Sequence, residues 1–214
     1  MTSAEPVASG GLAWVRQHLF EVVPVEVLER DVAKALPELT PILGMRIHRV
    51  AASKPGPWRD VVPQHQWRTV ERFLARGDRG YVATVEGQYA GRIWLSRTSH
   101  RDHWSGLRIR LAPDEAYAYA MEAGPRYRRL GLAAQLVARL LSDLRDGQEA
   151  SRVYGWVDLR NRESLILLSV VFGFTPVQTV RRAHLLRRIG WQVRGSDQPA
   201  FGPLSRVGRH AEAD

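Results

Sequence analysis

Residues 125–134 have the composition of a phosphate-binding turn between a strand and a helix. An extended run over 116–123 precedes them, and an apolar helical pattern that lasts to Leu144 follows them. Gly131 and Ala133 add almost no side-chain bulk, and the first amide N–H groups of a helix have no partner within the helix. Those donors, together with the positive end of the helix dipole, suit a phosphate or pyrophosphate. The sequence therefore predicts a cofactor site in this turn.

Two other interpretations of the turn can be weighed from the sequence. A Rossmann dinucleotide site needs three glycines after a first strand and an acidic residue about 20 residues further on. This chain has one of those glycines, Gly131, placed past its midpoint. The remaining alternative is that Gly131 only allows close packing of the strand on the helix, with the neighbouring arginines in a solvated turn.

The residues Arg128, Gly131 and Ala133 are spaced Arg-x-x-Gly-x-Ala and follow Pro125. This arrangement resembles the coenzyme A pyrophosphate loop of the GNAT superfamily of N-acyltransferases. The resemblance implies an acyl-CoA-dependent N-acyltransferase, in the first place an acetyltransferase, with acetyl-CoA as co-substrate. It also implies direct attack of an amine on the thioester in a ternary complex.

A second motif lies downstream, in the order that the family pattern requires. Asn161 is followed three positions later by the small residue Ser164, and the pair Gly173-Phe174 ends the segment. In the family, the loop amides hold the pyrophosphate, a backbone N–H at the end of the fourth strand holds the thioester carbonyl, and the asparagine contacts the pantetheine arm. The resemblance therefore implies these coenzyme A-binding residues: Met121, Glu122, Ala123, Arg128, Arg129, Leu130, Gly131, Leu132, Ala133 and Asn161.

The second motif departs from the family at the place of a catalytic acid. Many members have a tyrosine there, which protonates the departing thiolate, whereas this chain has Ser169 four residues before Gly173. A serine hydroxyl is a poor acid and is expected to cap or pack instead. The segment is also one residue longer than the common spacing. Three explanations stay open: the thiolate leaves unaided, another residue protonates it, or the protein binds acyl-CoA without efficient turnover.

Glu122 and Tyr119 are the candidate catalytic residues. Acyl transfer needs a polarised carbonyl, a neutral amine and a route for protons. Glu122 could deprotonate an ammonium directly or through water, and Tyr119 could take part in proton transfer. Period-two alternation puts Tyr119 and Met121 on one face of the strand and Glu122 on the other. The alternatives are a salt bridge of Glu122 with Arg126 or Arg128 and a place for Tyr119 in the core or cleft wall.

The composition of the 214 residues, with 44% hydrophobic and 25% charged, is that of a globular protein. No apolar run approaches membrane-spanning length, and the N-terminus lacks the basic-then-apolar pattern of a signal peptide, so we expect a cytoplasmic protein with no membrane partner. Cysteine is absent, which excludes disulfides and thiolate metal sites. The residues 100–103, His-Arg-Asp-His, lack a recognisable third ligand, and we expect a polar loop and no metal.

The formal net charge of +9 favours an anionic partner. That partner could be the phosphates of coenzyme A, an acidic substrate, or nucleic acid. The first hypothesis is transfer to a small-molecule or peptide amine. The alternative is a non-catalytic or nucleic-acid-binding protein, of tRNA or DNA, on the same fold. Neither the acceptor nor the acyl chain length follows from the sequence.

The order of the predicted elements is a mixed α/β plan, with a central mixed sheet flanked by helices and an N-terminal arm. Residues 45–187 match the order expected of a GNAT-like acyltransferase domain. Residues 1–44 are predicted to form an arm or hairpin extension, able to cover the core or form a homodimer contact, and residues 188–214 a C-terminal tail. The predicted strands are 45–50, 80–85, 88–95, 107–111, 116–123 and 152–157, with one long or two short strands over 174–186. The predicted helices are 67–76, 132–144 and 162–172.

Overall fold

The computed structural model of the protein describes residues 20–53, 58–101, 108–185 and 189–193. Within these residues the main sheet has eight strands in the order β10-β9-β1-β8-β7-β4-β3-β2. These strands are β1 Phe20–Asp31, β2 Met45–Val50, β3 Arg79–Val85, β4 Gln88–Ser96, β7 Glu115–Ala123, β8 Arg152–Asp158, β9 Thr175–Leu185 and β10 Ile189–Val193. A separate two-stranded sheet pairs β5 His100–Arg101 with β6 Arg108–Ile109. The predicted mixed α/β class is confirmed.

The helices lie on both faces of the main sheet. They are α1 Trp58–Val61, α2 Trp67–Ala75, α3 Leu132–Asp146 and α4 Arg162–Leu165, with 3-10 turns at Gln64–Gln66 and Pro125–Leu130 and a π-helical segment at Ile166–Val171. Residues of α1 and α2 belong to one buried apolar cluster, and α3 and the π-helical segment belong to the other. No helix in the described part of the chain is long and apolar enough to cross a membrane.

The helix α3 forms because its apolar residues recur every three to four positions and make one face. That face is fully buried against the sheet residues Ala83, Ile93 and Leu95, and each buried leucine contributes roughly 1.5–3 kcal/mol. Its members are Leu132, Leu136, Val137, Leu140, Leu141 and Leu144. This packing fixes the start of the helix beside the end of β7.

The N-terminal segment differs from the predicted hairpin. Residues 20–31 form one continuous strand, β1, which pairs antiparallel with β8 on one side and β9 on the other. Pro24 lies just beyond Val25, the last residue paired with β8, where a missing N–H donor disturbs the ladder least. Val25 and Val27 are buried in one apolar cluster and Leu28 in the other, as an interior strand requires, so the apolar run lacks strict alternation.

The segments outside the predicted domain are described only in part. The strand β10 lies inside the segment predicted as a tail and pairs antiparallel with β9. Residues 1–19 and 194–214 lie outside the described part of the chain, so the boundaries at 44 and 187 stay predictions.

Arg30 fastens β1 to two other segments. The residue is 3% exposed, and its Nη1 donates to the backbone oxygen of Phe172, at the end of the π-helical segment. Its Nη2 donates to the backbone oxygens of Lys34 and Ala35, at 2.8 Å each. One guanidinium thereby satisfies three carbonyl groups, because arginine carries five donors in a planar fork.

Replacing Arg30 with methionine should lower the free energy of unfolding by about 3 kcal/mol, since three carbonyl groups lose a charged donor. Urea unfolding followed by circular dichroism measures this change. The control is Arg46→Met on β2, an exposed arginine, for which we expect a change below about 0.5 kcal/mol. Equal losses in the two variants would contradict the anchoring role of Arg30.

Candidate functional site

The site begins where β7 and β8 separate. These parallel strands pair over three residue pairs only, from Glu115 with Arg152 to Tyr117 with Tyr154. Beyond that point β7 stays paired with β4, and β8 stays paired with β1, so the two strands diverge within one sheet. Strand edges that do not meet each other present backbone donors and acceptors to the space between them.

A β-bulge shapes the end of β7. Arg92 pairs with Glu122 and Trp94 with Tyr119, so Ala120 and Met121 together oppose a single residue of β4. Ala120 has φ +49°, a left-handed conformation that is unusual for a residue other than glycine. The extra residue of a bulge is left out of the ladder.

The bulge overturns the predicted faces of the strand. Met121 packs against the cluster of Ala118, whereas Tyr119 belongs to the cluster on the opposite face. Glu122 lies across from Arg92, to which it is ion-paired. The alternation reverses because one inserted residue shifts the period by one, and it brings the two candidate catalytic residues to the same face.

A cavity of about 480 Å³ occupies the gap between β7 and β8. Its walls are the end of β7, the end of β8 and the apolar face of α3. Gly155 of β8 lines it, and a methyl group built on this glycine would lie 3.7 Å from the backbone oxygen of Ala118 across the gap. The narrow part of the cavity is therefore bordered by backbone on both sides.

A second cavity, of about 720 Å³, continues from the first to the start of α3. Met121, Glu122, Asn161 and Ser164 line both cavities, which makes them one continuous cleft. The predicted loop residues Arg128, Arg129, Gly131 and Ala133 also line the second cavity.

The helix start is open at this cavity. Gly131 adopts φ +78°, and no side chain caps α3. A methyl group on Gly131 would meet no atom within 4 Å, so the space in front of it is free. Leu132 differs from its neighbours because its side chain is fully buried in the core, which leaves only its backbone to face the loop. Arg128 Nε donates to the backbone oxygen of Ala123 at 3.2 Å, which ties the loop to β7.

Close approach of β4 holds the end of β7 against this loop. A methyl group on Gly91 would lie 2.4 Å from the backbone oxygen of Glu122 and 2.8 Å from a methyl carbon of Leu132. Only glycine fits there, since these distances are far shorter than contact distances.

Glu122 is paired with Arg92 and not with the loop arginines considered from the sequence. Arg92 Nη2 lies 3.1 Å from Glu122 Oε2, with the glutamate side chain 43% exposed and the arginine side chain 9% exposed. The partner is cross-strand because the bulge puts Glu122 opposite Arg92.

Tyr119 is held in a buried hydrogen-bond network beside the cavity. Its hydroxyl donates to Asp78 Oδ2 at 2.5 Å and accepts from Arg76 Nη2 at 2.6 Å. Burial, and then the negative charge of Asp78, raise the pKa of Tyr119 far above its ordinary value. The hydroxyl therefore keeps its proton, and these interactions argue against Tyr119 as an acid or base near neutral pH.

The structure accounts for the one additional residue between Asn161 and Gly173. Asn161 caps α4, because its Oδ1 accepts from the backbone N–H of Ser164 at 3.1 Å. The π-helical segment that follows absorbs the additional position, with the Phe172 N–H bonded to the Leu167 oxygen five residues earlier. Leu168 lines the first cavity, whereas Ser169 is not among the residues that line either cavity.

Arg92 and Gly155 line the cleft and are not among the residues predicted from the sequence. Arg92 is a lone charge within an apolar strand, and that pattern could have singled it out. Gly155 carries no comparable signal. Of the predicted polar loop at 100–103, His100 and Arg101 form β5, and the other two residues lie outside the described part of the chain.

The sequence matches the acetyltransferase (GNAT) family over residues 45–174, which is more than half of the chain. No curated protein matches it. A tandem GNAT protein from the clavulanic acid biosynthesis pathway is similar in structure, with 17% identity, a TM-score of 0.54 and coverage of 92% of this chain and 62% of that one. A conserved protein of unknown function from Staphylococcus epidermidis has 14% identity, a TM-score of 0.53 and coverage of 86% and 69%.

A Drosophila protein is also similar, with 15% identity, a TM-score of 0.51 and coverage of 82% of this chain and 55% of that one. At these identities the likeness supports the fold alone. The chain spans between about half and two thirds of the length of these solved structures.

The variant Tyr119→Phe tests whether the buried hydrogen-bond network raises the pKa of Tyr119. Because the folded-state pKa lies above the unfolded value of 10.0, the contribution of this tyrosine to stability is complete below pH 10.0 and is lost as the pH rises further. Subtracting the tyrosinate absorbance of the variant from that of the wild type isolates the ionisation of Tyr119. The folded protein should show no ionisation of Tyr119 near pH 10.0, whereas the protein unfolded in urea should show the ionisation of one tyrosine near that pH. Ionisation of Tyr119 near that pH in the folded protein would contradict the network.

Proposed function

The chain belongs to the acetyltransferase (GNAT) family, and we propose from this membership that it transfers an acetyl group from acetyl-CoA to an amine in a ternary complex. The observation that carries the proposal is the continuous cleft that runs from the gap between β7 and β8 to the open start of α3. An extended arm that ends in a phosphate group fits such a cleft, since backbone edges accept an added strand and a helix start accepts an anion.

The pyrophosphate of coenzyme A would bind at the start of α3. The N–H groups of Leu132 and Ala133 belong to the uncapped first turn, where the helix dipole is positive. Gly131 leaves open space in front of them. The residues 128–130 complete the site in the proposal, with Arg128 and Arg129 adding positive charge and Leu130 its backbone.

The pantetheine arm would lie between β7 and β8. The backbone of Met121, Glu122 and Ala123 would hydrogen-bond to its amides as a neighbouring strand does. Asn161 uses its side-chain oxygen to cap α4, so its side-chain nitrogen is the group proposed to donate to the arm.

The thioester would lie at the β-bulge. Ala120 and Met121 together oppose one residue of β4, so their two N–H groups cannot both bond to it, and we assign the Met121 N–H as the donor that polarises the thioester carbonyl. A fixed backbone donor needs no reorganisation when negative charge develops on the carbonyl oxygen.

Glu122 is proposed to accept a proton from the acceptor ammonium. The neutral amine nitrogen then attacks the thioester carbon, a C–N bond forms, the C–S bond breaks, and the electron pair leaves on sulfur. The nitrogen loses its second proton, and the thiolate takes up one proton, so that one proton reaches solvent in total. Leu168 cannot supply that proton, so the proposal has no side-chain acid at sulfur.

Isothermal calorimetry with acetyl-CoA, followed by thiol release in the presence of a panel of amines, tests the proposal. Saturable binding together with amine-dependent thiol release is expected. Lack of acetyl-CoA binding would overturn the proposed function. Binding with no release by any amine, together with salt-dependent binding of tRNA or DNA, would favour the non-catalytic alternative that the net charge suggests.

Gly131→Asp should weaken acetyl-CoA binding at least tenfold, because a carboxylate would enter the proposed phosphate site. Aspartate tolerates the left-handed conformation better than most residues, so the fold should survive. The matched control is Gly87→Asp, at φ +77° with equally open surroundings in the β3–β4 turn. Calorimetry compares the two variants, and equal affinities would contradict the loop assignment.

Glu122→Gln should lower kcat about a hundredfold, because the proton acceptor is lost, while the dissociation constant of acetyl-CoA stays the same, because residue 122 is proposed to hold coenzyme A through its backbone. Thiol release with the fastest amine of the panel measures kcat. Glu163→Gln is the control, since Glu163 lines the second cavity away from the bulge. A variant at position 122 that keeps most of its kcat would exclude Glu122 as the base.

A further inference from the structure

Arg92 is a buried cation that is only partly satisfied. The residue is 8% exposed and lines the cavity between β7 and β8. Glu122 engages its Nη2, whereas its Nε and Nη1 are buried without a hydrogen-bond partner among the residues that the structure describes. Buried donors of a charged group are costly when left unpaired, so an arrangement of this kind calls for a further acceptor.

The charged residues of the cavity limit which kind of ligand can supply this hydrogen-bond acceptor. Arg92, Glu122 and Asp158 are the charged residues among those that line the cavity. Each carboxylate has an arginine partner, since Arg160 Nη2 lies 2.7 Å from Asp158 Oδ2. With Arg160 counted, two guanidinium groups balance the two carboxylates at the cavity, so a polycationic amine finds no excess of negative charge there.

The neighbouring charges of Arg92 and Glu122 match a zwitterion. A guanidinium with free N–H groups pairs well with a planar carboxylate, and the adjacent glutamate pairs with an ammonium. Arg92 and Glu122 lie 3.1 Å apart at their nearest atoms. The two charged groups of an amino acid are separated by a single carbon, a spacing that can reach both side chains at once.

We propose that Arg92 binds a carboxylate of the acceptor, so that the acceptor is an amino acid or another amine with a carboxylate one or two carbons from its nitrogen. This inference rests on the proposed function, because the ammonium must reach Glu122 beside the thioester. Arg92 fixes which amines can present their nitrogen there, and it thereby determines specificity.

The test compares each amine with and without its carboxylate. Thiol release from acetyl-CoA is measured with amino acids, with the corresponding amino acid amides and with polyamines. We expect kcat/KM to be at least about 100-fold higher for an acid than for its amide, because the amide leaves Arg92 unpaired. If amides or polyamines react with the same kcat/KM as the acids, the inference is overturned and the proposed function stays intact. Absent acetyl-CoA binding would instead remove both.

Variants at position 92 test whether Arg92 causes the preference for acids over amides. Arg92→Met should abolish the preference for acids over amides, and Arg92→Lys should restore part of it, since lysine keeps the charge without the planar fork. Arg46→Gln is the control, because this exposed arginine of β2 does not line the cavity, and it should keep the preference. If Arg92→Met folds poorly, the comparison of acids with amides in the wild-type protein still decides the question. A preference that survives in folded Arg92→Met would overturn the assignment.

Discussion

The divergence of β7 and β8 is the constraint on which the cleft depends, because two parallel strands with free edges would otherwise continue to pair. Each strand is held by its other neighbour. The bulge at Ala120 turns β7 along β4, and Gly91 lets β4 approach the end of β7 closely. On the other side, β8 is paired with β1 over seven residues, from Val25 to Asp31. The gap is therefore kept open by pairing elsewhere in the sheet, and the unpaired edges become available to a ligand.

In this arrangement β1, although it comes first among the described strands along the chain, holds strands that come much later. It pairs with strands more than 120 residues away, and Arg30 connects it to the end of the π-helical segment. Contacts of such sequence separation carry a large entropy cost of loop closure, which the pairing of β1 with β8 and β9 has to offset.

Local patterns predicted much of the fold. Alternation predicted β2 at its observed bounds, turn residues predicted the β3–β4 hairpin, and Gly131 with the helix behind it predicted the loop that lines the second cavity. The failures have a common physical origin in non-local structure. The face of Glu122 depends on a bulge fixed by β4, and the path of β1 depends on distant partners. The π-helical turn puts Leu168, and not Ser169, in the cavity wall, which residue counting could not anticipate.

In the proposed reaction, protonation of the thiolate and deprotonation of the ammonium differ in free energy. A thiol has an ordinary pKa of about 8.5, so protonation of the thiolate at pH 7 recovers only about 2 kcal/mol. A lysine-like ammonium has a pKa of about 10.4, so for an acceptor amine of that basicity producing the neutral amine at pH 7 costs about 4.6 kcal/mol. Loss of an acid at sulfur is the smaller disadvantage. The cleft combines an apolar side chain, Leu168, in its wall with a half-exposed carboxylate, Glu122, at the end of β7. On these energies, deprotonation of the amine is the step in which a side chain of this protein has most to contribute.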